Sequence, residues 1–171
     1  PERWGERFSI TQIMEALARA DGDLEALVAV KARDLSMPHD YLQIAELYAE
    51  AGDEARAREW AERGWQAFPE ERQDRRLRAF LAERYARADR HEAALELLWA
   101  AFDAAPSLAG YQALREYGEQ AGTWRAWRER ALERVRAGIE AQSRRTGHPA
   151  RAGVADHSLL VELFLDEGAL D

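Results

Sequence analysis

Residues 44-IAELYAEAGDEARAREWAERGWQAFP-69 contain an apolar-periodic run, a glycine turn, a second helical run and a closing proline. A shift of 37 residues lays this stretch on Leu81 to Pro106, LAERYARADRHEAALELLWAAFDAAP. Ala45 then meets Ala82, Glu46 meets Glu83, Tyr48 meets Tyr85, Ala57 meets Ala94, Glu59 meets Glu96, Ala67 meets Ala104 and Pro69 meets Pro106. Ile44 faces Leu81 and Trp65 faces Phe102 in the same register. Matches of alanine and glutamate carry little weight in an alanine-rich chain. Tyrosine, the large apolar residues and the terminal proline at one constant shift define an internal repeat.

Each copy divides into two helices, A and B. Ile44 and Tyr48 make one apolar face of helix A, and Ala57 is small enough to let helix B approach it closely. Gly52 suits the left-handed conformation that ends a helix, and Asp53 is a good N-cap for the next one. Pro69 cannot continue helix B and marks its end. Similar punctuation recurs at Asp21, Gly22 and Asp23, at Gly122 and Thr123, and at Gly168.

The pattern resembles the tetratricopeptide repeat (TPR), whose small-residue, tyrosine, glycine, alanine and proline positions are matched by Ala45, Tyr48, Gly52, Ala57 and Pro69, then by Ala82, Tyr85, Ala94 and Pro106. The second copy departs at Asp89, where the family has glycine, so its turn should be tighter or strained. The spacing of 37, against about 34 in the family, implies slightly longer helices or connections. Weaker copies flank these two. Ile10 to Leu35 keeps Gly22 and Asp23 but lacks the tyrosine, whereas Leu108 to about Arg136 keeps Gly122 but puts Trp127 where a small residue belongs. From about His157 the chain supplies a helix A alone.

The resemblance implies an all-α, right-handed α-solenoid of TPR-like helix pairs, about nine helices in one domain spanning 1–171. Its units are expected at about 9–36, 40–69, 77–106 and 108–138, followed by a loop at 143–157 and a half unit at 158–171. The loop, SRRTGHPARAGVADHS from Ser143 to Ser158, is poor in large apolar residues and reads as a surface excursion. The stripe Leu160, Leu163 and Phe164 has no helix B after it, so the natural protein is expected to continue past Asp171. The chain begins at Pro1 and is expected to be a fragment or a processed product. The stretches ALVAVKARDLS…YLQIAELYAEAG, AALELLWAAFDAAPSLAGYQALRE and WRAWRERAL further resemble the helical C-terminal region of bacterial SWIM zinc-finger family proteins. The zinc motif of that family is absent here, so zinc or DNA binding does not transfer with the resemblance.

Composition narrows the function. A net charge of -8, from 24 basic against 32 acidic residues, disfavours nonspecific capture of nucleic acid or anionic membrane. Cysteine is absent, so no disulfide forms, and any zinc site would need the four histidines and carboxylates. No apolar run reaches the roughly 18 residues of a membrane helix, and no signal peptide opens the chain, so a cytoplasmic setting is expected. Lys31 is the only lysine among many arginines, and alanine is abundant; this reads as GC-rich, bacterial codon usage.

In stacked helix pairs the A helices line a concave face that holds extended peptides or partner helices. The repeat register assigns Leu42, Glu46, Ala49 and Glu50 of the second unit to this face, with Arg76, Ala79, Glu83, Ala86 and Arg87 of the third. The fourth contributes Gln112, Glu116, Glu119 and Gln120, and the first Gln12, Ala16 and Arg19. Glutamate outnumbers arginine in this set, which favours a basic or helical partner, and the Lys and Asn set that clamps a C-terminal carboxylate is missing. The plainer reading is that these charges solvate helix faces.

Two alternatives compete with a peptide-binding scaffold. Trp124 to Arg145 carries Arg125, Arg128, Arg130, Arg134, Arg136, Arg144 and Arg145, a basic element able to track phosphates. Several of these arginines alternate with Glu129, Glu133 and Glu140 at helical spacing, as in ordinary surface ion pairs. Glu46 and Glu83 occupy equivalent positions in adjacent repeats and could form a metal or hydrolytic site, but nothing supplies a nucleophile, a base or a third ligand. His39, His91, His148 and His157 fall near turns or the loop without metal-ligand spacing. Trp60, Trp65, Trp99, Trp124 and Trp127 fit the inter-repeat core. The sequence therefore predicts a non-enzymatic protein-interaction scaffold without cofactor or catalytic residue, whose partner is a protein or peptide, including another segment of the parent chain.

Overall fold

The computed structural model describes residues 13–18, 20–69, 72–146 and 154–168, excluding the side chains at 142–143, 145–146 and 154–157. Among the described residues the regular structure is α-helical and contains no strand. Helix α1 comprises residues 13–18 and 20–21. It is followed by α2 (Leu24–Lys31), α3 (Pro38–Glu50), α4 (Glu54–Ala67) and α5 (Arg75–Arg87). The remaining helices are α6 (His91–Ala104), α7 (Leu108–Gln120), α8 (Trp124–Thr146) and α9 (Val154–Asp166). The order gives helix pairs followed by a lone helix A. Packing groups the chain into two compact units, one through Arg84 and one from Tyr85.

Local chemistry explains the boundaries. Asp23 Oδ1 accepts a hydrogen bond from the Ala26 amide, and Asp53 Oδ1 one from the Arg56 amide, which caps α2 and α4 as the sequence predicts for Asp53. At the start of α3, Asp40 accepts from the Met37 amide, while Pro38 takes a position whose N–H would be unpaired anyway. Gly22, Gly52, Gly122 and Gly168 all adopt positive φ. Asp89 does the same, with φ 56, in place of the family glycine. Before Pro69 the backbone turns extended at Phe68 and α4 stops.

In the first unit Val28, Ile44, Tyr48 and Ala57 form a core, with Leu24, Leu35, Trp60 and Phe80 packed against it. Gly64 on α4 is buried where α3 passes so close that a Cβ there would lie 2.5 Å from that of Tyr41. The unit also buries Arg84, whose Nη1 donates to both Glu54 carboxylate oxygens at 2.9 and 3.0 Å and whose Nη2 lies 2.8 Å from Glu83. The guanidinium stacks 4.7 Å from the Phe80 ring centroid.

The second unit is built on Leu95, Phe102, Tyr111, Leu114, Trp127, Ala131, Leu132, Val135 and Leu163. Trp127, standing where a small residue belongs, is buried with its ring centroid 5.9 Å from that of Trp99 at an interplanar angle of 50°, so the position is filled by a tilted aromatic contact. Two expectations need correction. Residues 143–146 belong to α8 and not to a loop, helped by the Arg144–Glu140 pair one turn apart, and helix resumes at Val154. The stripe Leu160, Leu163 and Phe164 already packs within the second unit: Leu163 is fully buried, and the other two, half-buried, lie against the same core. This is the face with which a helix A meets the preceding pair. Among the described side chains of α9, Val161 and Leu165 are the exposed large apolar ones, on its other side.

Candidate partner-binding groove

Leu108 to Gln120 forms one regular helix because Ser107 caps its start, its hydroxyl accepting from the Gly110 amide, and Gly122 ends it in the left-handed conformation. Tyr111, Leu114 and Gly118 point into the core. The helical period therefore turns Gln112, Arg115, Glu116, Glu119 and Gln120 outward. These side chains and Asp166 at the end of α9 line an open groove of about 430 Å³ within the second unit. The expected residues Gln112, Glu116 and Glu119 are thus brought together, and all three are exposed.

The groove is polar and internally cross-linked. Gln112 Nε2 donates to Asp166 Oδ1 at 2.7 Å. Arg115 Nε donates to Glu119 Oε1 at 2.8 Å, and its Nη1 lies 3.5 Å from Asp166 Oδ2. The Glu119 partner, with help from Asp166, raises the Arg115 pKa above the usual guanidinium value.

Beside the groove, Glu167 anchors the end of α9. Arg128 grips it bidentately, Nε to Oε1 at 2.6 Å and Nη2 to Oε2 at 2.7 Å, and the Tyr111 hydroxyl donates to Oε1 at 2.5 Å. The Arg128 contact and the Tyr111 hydrogen bond hold the Glu167 pKa below its ordinary value against the opposing effect of burial. Burial, then Glu167, pushes the Tyr111 hydroxyl up, and Glu167 likewise raises Arg128. Sequence reasoning missed Asp166 and Glu167. Their only local signal is a pair of carboxylates in front of Gly168, and their partners lie 39 to 56 residues away.

The other expected residues are distributed differently. Leu42 is 2 % exposed and belongs to the first unit's core, so it is corrected from groove residue to packing residue: its position in α3 falls inside the wide apolar stripe of a helix covered on that side. Glu46, Glu50, Arg76 and Arg87 are exposed, and Glu83 is half-buried beside Arg84. Ala16 and Ala79 are exposed, Ala49 and Ala86 half-buried, and Gln12 and Arg19 lie outside the described residues. His39 is exposed, His91 lies 3.7 Å from Asp89, and neither His148 nor the side chain of His157 is among the described groups. Among the described residues no group of three or more His, Asp or Glu side chains is placed to share a metal ion.

The arginines of α8 are mostly matched to carboxylates. Arg128 holds Glu167, Arg130 meets Glu96 at 3.1 Å, and Arg134 meets Asp103 at 2.7 Å. Arg125 and Arg144 pair along the helix with Glu129 and Glu140, Arg136 is exposed, and the side chain of Arg145 lies outside the described residues. Arg130 also stacks over Trp99 and Trp127, at 4.1 and 4.8 Å. Phosphate contact by this helix would have to compete with these pairs.

Helix pairs closed by left-handed turns, with a small residue at the close approach and polar side chains outward from an A helix, define a TPR-like fold of the α-solenoid class. The chain is similar in fold to the crystal structure of MamA protein, with a TM-score of 0.52 and 16 % sequence identity over 98 % of this chain and 97 % of that one. No protein-family model matches the chain, and no curated protein matches it significantly. None of these comparisons supports the resemblance to SWIM zinc-finger proteins. No described helix is long and apolar enough to cross a membrane.

Proposed function

We propose that the protein is a non-enzymatic interaction scaffold whose second unit holds a basic segment of a partner protein in the groove between α7 and the end of α9. The observation that carries this reading is the convergence of Gln112, Glu116, Glu119, Gln120 and Asp166 on one open groove. Three carboxylates against Arg115 give it a negative balance, and the two amides can pair with a peptide backbone. Glu46, Glu50 and Arg76, with Glu83 and Arg87, are further contact positions under the same reading. The partner is a protein, a peptide or another segment of a parent chain, and the cytoplasm is the proposed setting.

The test is capture from source lysate with nuclease present, comparing the wild-type chain with Glu116→Arg as bait. Discrete proteins retained by the wild type and lost by Glu116→Arg support the groove. Equal retention by both baits, or recovery of nucleic acid when nuclease is omitted and of nothing when it is added, contradicts it.

A further inference from the structure

Arg115 is the cation among the groove-lining residues, and it does not face the groove free. Glu119, one turn on in α7, accepts from its Nε at 2.8 Å, and Asp166, brought from α9, lies 3.5 Å from its Nη1. The second Asp166 oxygen is held by Gln112 at 2.7 Å, which fixes the carboxylate across the groove floor. The neighbouring carboxylate, Glu167, is taken up by Arg128 and Tyr111. Adjacent residues at the end of α9 thus do different things: one anchors the helix, the other enters the groove. Glu116 is exposed, and no cation among the described residues pairs with it.

We propose that Asp166 and Glu119 mask Arg115, and that this masking sets the charge preference of the groove. Arg115 is a carboxylate receptor kept occupied by the chain's own carboxylates. An acidic side chain or a C-terminal carboxylate must displace both to reach it, whereas a cationic side chain meets Glu116 directly and adds to the charge already in place. This inference rests on the groove being the binding surface. Exposed pairs of this kind contribute modestly, so each carboxylate is expected to change affinity by roughly two- to fivefold.

The experiment uses fluorescence anisotropy with two labelled probes of equal length, an alternating arginine–alanine peptide and an alternating glutamate–alanine peptide. They are titrated with the full chain as wild type, Asp166→Asn, Glu119→Gln and the double variant. Both substitutions preserve side-chain shape, and Asp166→Asn keeps an acceptor oxygen for Gln112; melting temperatures monitor folding. The wild type should bind the arginine probe and disfavour the glutamate probe. The double variant should lose roughly tenfold on the first and gain roughly tenfold on the second, and adding Arg115→Gln should erase that gain. Asp166→Asn alone should move both affinities in the same directions by a smaller factor, so the test survives a poorly folding double variant. If the wild type binds the arginine probe and neither single nor double substitution improves the glutamate probe, the masking is wrong while the groove stands. If the wild type binds neither probe, the groove reading itself fails and takes the masking with it.

Discussion

The turn after α3 and the turn after α5 follow the same path with different residues. In the first, the Asp53 amide returns to the Tyr48 carbonyl at 2.9 Å around Gly52, whose φ is 80. In the second, the Arg90 amide returns to the Tyr85 carbonyl at 2.8 Å around Asp89, whose φ is 56. The first turn also caps the next helix through Asp53, whereas Arg90 offers α6 no side-chain cap and lies instead 4.5 Å from the Tyr85 ring centroid. The repeat therefore imposes a left-handed residue wherever helix A must fold back, and tolerates a side chain there at a cost. Aspartate is among the few non-glycine residues that accept this region.

The same comparison extends into helix B, and the largest expected effect lies there. Gly64 in α4 corresponds to Ala101 in α6 at the 37-residue shift. Gly64→Ala would place a Cβ 2.5 Å from that of Tyr41, so overpacking should outweigh the gain in helix propensity. A net loss of about 1–3 kcal/mol in denaturant unfolding is expected, and a stabilised variant would show that the two hairpins are spaced alike. Next comes Gly52→Val, where a β-branched residue would have to adopt φ 80. It should destabilise by about 2 kcal/mol, while the milder Gly52→Asp, which copies the second turn, should cost about half as much.

A third test concerns the turn at Gly168, where the preceding Glu167 ties α9 to α7 and α8. Glu167→Gln should lower stability by about 1–2 kcal/mol near neutral pH, because Arg128 and Tyr111 lose a charged, partly buried partner. The folded-state pKa of Glu167 lies below its ordinary value, so its contribution is complete above about pH 5 and is lost as pH falls through the folded value. The wild-type and variant melting temperatures should accordingly differ at neutral pH and converge in acid. A gap that persists unchanged in acid would show that Glu167 acts by packing alone. The smallest effects come from giving the second turn the chemistry of the first: Asp89→Gly and Arg90→Asp should each stabilise by about 0.5–1 kcal/mol, read as an upward shift in melting temperature.

Much of the fold was legible because its signals are local. Tyr48 and Tyr85, Gly52 with its capping Asp53, and the prolines at Pro69 and Pro106 report a helix pair without reference to distant residues. The groove was legible on α7 for the same reason, since helical period alone puts Gln112, Glu116 and Glu119 outward. What was not legible depends on contacts between distant segments. Asp166 enters the groove, and Glu167 engages Arg128, only once Leu163 has docked α9 on the second unit's core. Leu42 was misplaced because register gives a direction and not a burial depth, and the neighbouring apolar positions widen the covered stripe of α3 around it. The basic face read along α8 is largely absorbed by Glu96, Asp103 and Glu167, carboxylates that sequence spacing within α8 does not reveal.

Backbone hydrogen exchange with and without the alternating arginine–alanine peptide tests the central claim most directly. Occupation of the groove should slow exchange in α7 and the last turn of α9, leave the exposed turn at Asp89 unchanged, and disappear in Glu116→Arg. Protection that falls instead along α8, or that persists in Glu116→Arg, would contradict a binding site between α7 and α9.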